Sequence, residues 1–263
     1  MARTYIITGA GSGIGAATAR ILRERGNTVI GLDLKGADIA CDLSTPQGRL
    51  DACAAAVDAA GGKVDAVIAC AGLALPIAKT VSVNYFGMSE FLTAIAPVLA
   101  KADKPRAALI SSMASLQPPD AQLLDAMVRD NEADALKRAE ELVAMGGGLE
   151  QQIYGTTKRA ISRWVRRESV KPAWAGAGIP LNAVGPGIVK TPMVADMIAT
   201  EEARSYLDQV VPMPLNYYME PEAVAYLLIW LTSEENSHCA GQTIYSDGGS
   251  DAVLRGENVW DLA

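Results

Sequence analysis

The sequence predicts an α/β fold in which a parallel β-sheet of about seven strands is covered by helices on both faces. Short apolar runs of strand length alternate with segments long enough to form helices. Half of the 263 residues are hydrophobic but only 5% are aromatic, so Ala, Val, Ile and Leu must fill the core. No internal repeat or low-complexity linker interrupts the alternation. We therefore expect a single domain over residues 1–263.

The elements follow in order from the N-terminus. Strands are predicted at Thr4–Thr8, Thr28–Leu32, Asp65–Ala69, Ala107–Ser111, Leu181–Val184 and Gln242–Tyr245, with a short strand end at 39–41. Helices are predicted at Gly13–Arg25, Pro46–Ala60, Val81–Ala100, Tyr154–Trp174 and Glu222–Leu231. Pro46 suits a first helical position, where the missing N–H would have no helical partner. Strands separated by helices imply crossover connections and a doubly wound sheet.

Two stretches depart from this rhythm. Residues 116–150 begin with a Pro-Pro pair and end with three glycines, and between them apolar residues recur at helical spacing, which predicts a helical insertion. Residues 188–220 are rich in Met and Tyr. Methionine-rich loops adapt to bulky apolar ligands, although a helix packing its apolar face would explain the same pattern equally well.

Charge and composition exclude several classes of function. The formal net charge is −7, and an acidic surface repels phosphate backbones, so we expect no nucleic acid partner. Four cysteines without a C-x-x-C pair, and a single histidine, His238, indicate free thiols and no metal site. The first strand begins at Thr4, which leaves no room for a signal peptide, and the apolar run Ala223–Leu231 is too short to span a bilayer. We expect a cytoplasmic protein without a membrane anchor.

A glycine-rich turn, Gly9-Ala-Gly-Ser-Gly-Ile-Gly15, joins the first strand to the first helix. Glycine lets a backbone approach a pyrophosphate closely, and the helix N-terminus offers it free N–H groups. Such a string is weak by itself, but here it has the strand–turn–helix setting that a dinucleotide site requires. The Lys and Ser/Thr of a P-loop are absent, which disfavours a nucleotide triphosphatase. The candidate cofactor residues in the turn are Gly9, Gly11, Ser12, Gly13, Ile14 and Gly15.

Acidic residues after the second strand predict which dinucleotide binds. Asp33 ends that strand, where a carboxylate accepts the ribose hydroxyls of NAD and repels the 2′-phosphate of NADP. A strand-end Asp that favours a turn is the plainer alternative, and Lys35 nearby is a cation that would tolerate NADP. Asp42 follows the short strand end and is a candidate for adenine binding, or else a solvated loop acid.

The chemical candidates lie further along the chain. Tyr154 and Lys158 are four residues apart, on one face of a helix. A free phenol has a pKa of about 10, and a nearby cation with an oxidised nicotinamide should lower it, so that Tyr154 exchanges a proton with a substrate oxygen. Such pairs also occur by chance on exposed helices. Ser112, at the carboxyl end of a strand, would orient a carbonyl. Asn84 lies in an apolar helix, either as a satisfied core amide or as a helix distortion that holds a proton-relaying water.

Together these motifs resemble the short-chain dehydrogenase/reductase family over essentially the whole chain. The glycine turn, Asn84, Ser-Ser-x-x-Ser at 111–115, Tyr-x-x-x-Lys, Asn182-Ala-Val-Gly-Pro-Gly187 with Thr191, and Ser246-Asp-Gly-Gly249 all match. The resemblance implies a Rossmann-type fold with Ser112, Tyr154 and Lys158 as catalytic residues and Asn84 as the fourth, Ser111 being the alternative serine. It places Lys158 on the nicotinamide ribose and Ile188 and Thr191 on the nicotinamide amide. Further cofactor residues implied are Leu43, Ala71, Gly72, Pro186 and Gly187. Cys70 stands where the family usually has Asn, which puts the stability of the central sheet in doubt more than the chemistry.

The long separation between Ser112 and Tyr154 points to a subfamily. With Cys41-Asp-Leu-Ser-Thr-Pro-Gln-Gly-Arg49 and Ser82-Val-Asn-Tyr-Phe-Gly87, it is similar to the bacterial 3α-hydroxysteroid dehydrogenase/carbonyl reductases, which carry a helical insertion at the same place and use NAD. The resemblance implies a hydrophobic alcohol or ketone as substrate and a mobile lid at 188–220. Since the insertion would cover the tyrosine helix, a common interface of the family, we expect a homodimer, with a tetramer as the alternative. Other hydrophobic alcohols (aryl or terpene) and a non-enzymatic NAD-binding regulator are the competing functions.

Overall fold

A computed structural model describes residues 2–260 and confirms the predicted fold class. Within these residues seven parallel strands form one sheet in the order β3-β2-β1-β4-β5-β6-β7. The strands are β1 Thr4–Thr8, β2 Thr28–Asp33, β3 Ile39–Ala40, β4 Ala66–Ala69, β5 Arg106–Ile110, β6 Leu181–Pro186 and β7 Thr243–Ser246. Met1 and residues 261–263 of the predicted domain lie outside the described residues. The strand order reverses between β1 and β4, and open α/β sheets bind ligands at that point, beyond the carboxyl ends of the strands.

Helices cover both faces of the sheet. They are α1 Gly13–Glu24, α2 Pro46–Ala59, α3 Ala78–Val81, α4 Met88–Leu99, α5 Ala121–Val128, α6 Glu132–Met145, α7 Gln152–Glu168, α8 Glu201–Val210, α9 Pro221–Leu231 and α10 Ser250–Arg255. One face packs against α2, α4 and α7, through residues such as Phe91 and Ile161. The other packs against α1 and α9, through Leu22 and Leu228. The two apolar layers hold the glycine turn and the start of α7 at the same edge of the sheet.

Two predicted helices differ from the observed ones by more than a single residue at an end. The tyrosine helix α7 ends at Glu168 rather than at Trp174, because Pro172 cannot continue a helix. Trp174 is nevertheless buried and packs edge-to-face on Trp164, with ring centroids 6.0 Å apart, which explains why the apolar pattern ran past the helix end. The predicted helix Val81–Ala100 contains a π-helical turn at Ser82–Gly87, between α3 and α4. Such turns concentrate at functional sites.

The stretch at 116–150 contains the helices α5 and α6, which pack on each other and lie beside α7 and α3. Asp120 caps α5 by accepting the Leu123 N–H at 2.7 Å, and it pairs with Arg138 of α6 at 2.8 Å. The Asp120 N–H donates to Thr156 Oγ1 of α7 at 3.0 Å. These contacts fix the two helices against the helix that carries Tyr154. In the described part of the chain no helix is both long and apolar enough to cross a membrane.

Candidate active site

A cavity of about 510 Å³ opens at the carboxyl ends of the central strands and contains most of the predicted site residues. Those in its lining are Gly9, Ser12, Gly13, Ile14, Gly15, Asp33, Asp42, Leu43, Ala71, Gly72, Ser111, Ser112, Tyr154, Lys158, Pro186, Gly187 and Thr191. Gly11, Asn84 and Ile188 do not line it. The residues that line the cavity come from seven separate segments, which the sheet brings together.

The glycine turn forms one wall, at positions where a side chain would not fit. A Cβ on Gly9 would lie 2.6 Å from Ala71 N, and one on Gly15 would lie 2.0 Å from Gly9 O. Gly9 and Gly13 also have positive φ angles of 70° and 52°. The turn therefore leaves a smooth cradle against the first turn of α1, where N–H groups without helical partners favour an anion.

Asp33 lies at the edge of this cradle and is fixed by the backbone. Its Oδ2 accepts the Gly11 N–H at 2.9 Å and its Oδ1 accepts the Leu34 N–H at 2.7 Å. Gly11 thus supports Asp33 from outside the cavity. Lys35 is exposed and does not line the cavity, whereas Lys79 does.

Lys79 faces Asp42 across the same end of the cavity. Its Nζ lies 3.5 Å from Asp42 Oδ2, and Asp42 Oδ1 accepts the Ser44 N–H at 2.9 Å. The Ser44 hydrogen bond and the Lys79 charge hold the pKa of the Asp42 carboxyl below its usual value. Ser44 and Lys79 therefore already use part of the hydrogen-bonding capacity of the Asp42 carboxylate.

Tyr154 and Lys158 lie on the inward face of α7, at the opposite end of the cavity. Lys158 is only 3% exposed, its Nζ donates to Ile110 O at 3.1 Å, and it lies 5.7 Å from the centre of the Tyr154 ring. Burial lowers the pKa of Lys158 to about 8, because removal from water disfavours the charged ammonium. Burial raises the pKa of Tyr154, and the Ser112 hydroxyl beside the phenol opposes this rise.

The direction of the Tyr154 shift differs from the expectation. The sequence predicts a lowered pKa for Tyr154, but among the protein's own groups burial outweighs the hydrogen bond from Ser112, and the pKa is raised. That expectation also invoked an oxidised nicotinamide. The Lys158 ammonium is the positive group beside the phenol, 5.7 Å from the centre of the Tyr154 ring.

The buried Lys158 gives a pH dependence of stability with a definite sign. Its pKa of about 8, against 10.5 for an exposed lysine, means that the unfolded chain binds more protons between these values. Its contribution to the free energy of unfolding should therefore rise with pH between 8 and 10.5, by on the order of 3 kcal/mol. Urea denaturation of the wild type and a Lys158→Met variant at several pH values isolates this group. A difference between the two that stays constant from pH 7 to 10 would contradict the burial of this charge.

The structure distinguishes the two candidate serines. The Ser111 hydroxyl donates to Lys158 O at 3.0 Å and lies 2.7 Å from Ser162 Oγ, so α7 engages it. The Ser112 hydroxyl accepts the Ala114 N–H at 3.1 Å and lies beside the Tyr154 phenol. This geometry favours Ser112 as the serine that faces a substrate.

Asn84 combines features of both interpretations given above. It lies within the π-helical turn and is completely buried. Its Oδ1 accepts the Leu73 N–H at 2.8 Å, and its Nδ2 donates to Leu73 O at 2.8 Å and to Thr157 Oγ1 at 3.2 Å. The side chain is thus a satisfied amide that clamps the loop after β4, and the helix distortion is present as well.

Sequence reasoning missed an apolar part of the lining. It comprises Leu73, Leu75, Ile77 and Val83, together with the thiols Cys41 and Cys70, whereas Val189, Met193 and Val194 fall within the predicted lid at 188–220. Leu75 is 52% exposed and Met193 45%, which is unusual for large apolar side chains at a cavity mouth. The apolar run after β4 was a signal that could have found the first three.

The predicted Ile188 is buried elsewhere, in a cluster with Met113, Ala114 and Val211. Its neighbour Val189 lines the cavity instead. Sequence spacing does not resolve which of two adjacent residues faces a cavity when they follow the end of a strand.

Comparisons with known proteins place the chain in a family. The short chain dehydrogenase model matches residues 3–124, and the enoyl-(acyl carrier protein) reductase model matches residues 140–251. A curated 3-alpha-hydroxysteroid dehydrogenase/carbonyl reductase from Comamonas testosteroni is 34% identical over 255 residues, which cover 95% of this chain and 97% of the relative. The chain belongs to the short-chain dehydrogenase/reductase family. The family predicted from the sequence is confirmed.

Two further proteins are similar to this chain over nearly its full length. A cis-4-hydroxycyclohexanecarboxylate dehydrogenase from Sinomonas cyclohexanicum is 28% identical over 95% of this chain and 97% of its own. The crystal structure of a 3-alpha-hydroxysteroid dehydrogenase from Pseudomonas sp. B-0831, complexed with NADH, superposes with a TM-score of 0.88 at 37% identity. It covers 97% of this chain and 99% of that one.

Proposed function

We propose that the protein transfers a hydride between NAD(H) and a hydrophobic secondary alcohol or ketone, with steroid alcohols as the substrate class. One observation carries the proposal: Ser112, Tyr154 and Lys158 lie at one end of a single cavity whose other end is formed by the glycine turn and Asp33. A dinucleotide spanning that cavity would bring its reactive ring to the phenol. The similarity to two hydroxysteroid dehydrogenases, one of them complexed with NADH, supports both the cofactor and the substrate class.

The residues present fit NAD. The cradle has no room for a Cβ at Gly9 or Gly15, and with Gly13 between them it would accept the pyrophosphate. Asp33 would accept the ribose hydroxyls, Asp42 and Leu43 would flank the adenine, and Thr191 would bind the nicotinamide amide. Ala71, Gly72, Pro186 and Gly187 would form the walls between these groups. When bound, the nicotinamide supplies the hydride acceptor or donor.

The side chains of the chain itself handle the proton. In oxidation, the Tyr154 phenolate accepts the proton of the substrate hydroxyl, and in reduction the phenol returns it to the carbonyl oxygen. Ser112 donates a hydrogen bond to the same oxygen and orients it. The Lys158 ammonium favours the phenolate by its charge and would bind the nicotinamide ribose. We assign to the π-helical turn at Asn84 the water that connects Lys158 to solvent.

The apolar lining sets the substrate class. Leu73, Leu75 and Ile77 from the loop after β4, and Met193 and Val194 from the segment after β6, line the same cavity as Tyr154. We propose residues 188–220 as the lid, because α8 residues Leu207 and Val210 pack on the same cluster as Tyr154. Closure of this segment would bury a rigid apolar substrate against the methionines.

The Ser112→Ala variant should lose about 10²-fold in kcat, because one oriented hydrogen-bond donor to the reacting oxygen is removed. NADH affinity should be retained, since the hydroxyl contacts the substrate. Steady-state kinetics with fluorescence titration of NADH measures both quantities. Ser111→Ala is the matched control and should retain most of the turnover. The opposite ranking of the two variants would assign the role to Ser111.

A panel of alcohols tests the proposed function. Wild-type protein is incubated with NAD and steroid, aryl or terpene alcohols, and the absorbance of the reduced cofactor is followed. We expect turnover of steroid alcohols at kcat/KM above that of the other classes. Preference for an aryl or terpene alcohol would correct the substrate class. Turnover of none of them, with NADH still bound, would favour the non-enzymatic regulator.

We also propose a homodimer. Helices α5 and α6 lie beside α7, and this arrangement supports the idea that they cover a face that family members use for association. Light scattering of the purified protein is expected to give twice the chain mass. A tetramer would contradict the proposal.

A further inference from the structure

The π-helical turn that contains Asn84 is held from two sides by residues at the junction of α5 and α6. Asp130 at this junction and Glu132, the first residue of α6, each pair with a residue of the core. Asp130 accepts the Tyr85 hydroxyl at 2.7 Å, and Tyr85 is the residue next to Asn84. Glu132 pairs with Arg49, whose Nη2 also donates to Ser82 O at 3.2 Å, at the start of the π-helical turn.

The two core partners are buried, whereas the Asp130 side chain is 55% exposed and that of Glu132 is 20% exposed. Tyr85 is completely buried and Arg49 is 1% exposed, so neither would tolerate an unpaired polar group without cost. The Arg49 guanidinium holds Glu132 with two hydrogen bonds, and its Nε donates to Leu43 O at 2.9 Å. Arg49 thereby joins the inserted helices, the π-helical turn and the loop that lines the Asp42 end of the cavity.

The backbone of Asp130 indicates that its position is imposed. Its φ of 55° is a left-handed conformation that non-glycine residues adopt at a cost. Arg167 of α7 fixes it, donating to Asp130 Oδ2 at 2.9 Å and to Val128 O at 2.6 Å. The Asp130 carboxylate is thus oriented by the same helix that carries Tyr154 and Lys158.

We propose that Asp130 and Glu132 are positioning residues for Asn84, acting through Tyr85 and Arg49. The inserted helices then do more than cover α7: they hold the distorted turn in register with the Leu73 loop and with Thr157. The kinetic effect rests on the proposed function, because Asn84 takes part in proton transfer only in that mechanism. The structural effect, which is the positioning of the π-helical turn, does not depend on it.

Tyr85→Phe tests the contact on one side, because it removes only the hydroxyl. We expect kcat to fall about tenfold with the KM for NAD unchanged, and the pH profile of kcat to shift, because a small displacement of Asn84 disturbs the proton path. Amide hydrogen exchange of residues 82–87 should accelerate about fivefold, as one buried hydrogen bond no longer holds the turn. The kinetic readout uses whichever alcohol of the panel is turned over.

Tyr5→Phe is the matched control, since Tyr5 is equally buried and its hydroxyl donates to Thr232 O at 3.4 Å, far from the site. A role in stability alone would lower the Tm of both variants and leave both kcat values and the exchange at 82–87 unchanged. That result would overturn the proposal. So would faster exchange of the turn without any change in kcat or its pH profile.

Two further pairs sharpen the test. Asp130→Asn keeps an acceptor and tolerates the left-handed φ, so it should stay near wild type, whereas Asp130→Ala should resemble Tyr85→Phe. Glu132→Ala should show the same kinetic change, while Glu140→Ala, exposed on the same helix, should not. Failure of the proposed function is distinguishable, because it would appear as full turnover in Tyr154→Phe. The hydrogen-exchange measurement at residues 82–87 does not depend on which reaction the protein catalyses.

Discussion

Replacing Tyr154 with phenylalanine should lower kcat by about 10³-fold, because the substrate oxygen loses the only phenol with which we expect it to exchange a proton. The effect should appear in both directions of the reaction, since the same group accepts the proton in oxidation and donates it in reduction. The ring remains, and with it the packing against Met113 and Ile188, so the free energy of unfolding should change little. NADH should bind with nearly unchanged affinity.

The measurement combines steady-state kinetics with fluorescence titration of NADH. Tyr245→Phe is the matched control: Tyr245 packs on the same apolar cluster, but its hydroxyl pairs with Ser115 Oγ at 2.8 Å. That variant should keep most of its turnover. Comparable turnover in Tyr154→Phe and wild type would show that another group transfers the proton, and the proposed mechanism would fail.

Exchanging Asp33 for asparagine should shift the preference between NADH and NADPH by about 10²-fold towards NADPH. The substitution keeps the shape and one acceptor for the Gly11 or Leu34 N–H, but removes the charge that repels a 2′-phosphate and binds the ribose strongly. Fluorescence titration of both cofactors measures the change. The expected wild-type preference is for NADH.

Lys35→Ala is the companion variant. Because Lys35 is exposed and does not line the cavity, it should change the preference only slightly. Tighter binding of NADPH than NADH by the wild type, lost in Lys35→Ala, would transfer the selectivity from Asp33 to the lysine.

Local patterns in the sequence predict much of this architecture. Two features depend only on nearby residues: the glycine turn between β1 and α1, and the spacing of Tyr154 and Lys158. Hydrophobic periodicity and turn-forming residues are enough to predict such features. The sheet follows from the alternation of strands and helices, because crossover connections admit few arrangements.

Features that depend on distant contacts were not predictable in this way. The clamp of Asn84 on Leu73 requires the loop after β4 to meet the π-helical turn, and no sequence period encodes that meeting. The end of α7 was misjudged because Trp174 is buried by tertiary packing on Trp164 beyond the helix. The raised pKa of Tyr154 arises from burial, a property of the whole fold.

Transfer of deuterium tests the central claim most directly. A steroid alcohol carrying deuterium at its carbinol carbon is incubated with NAD and the wild-type protein, and the reduced cofactor is analysed by mass spectrometry. The proposed function predicts one deuterium in the reduced cofactor and the corresponding ketone as product, with neither formed by Tyr154→Phe at a comparable rate. Oxidation of the alcohol without deuterium in the cofactor, or no oxidation of any hydrophobic secondary alcohol, would contradict the claim.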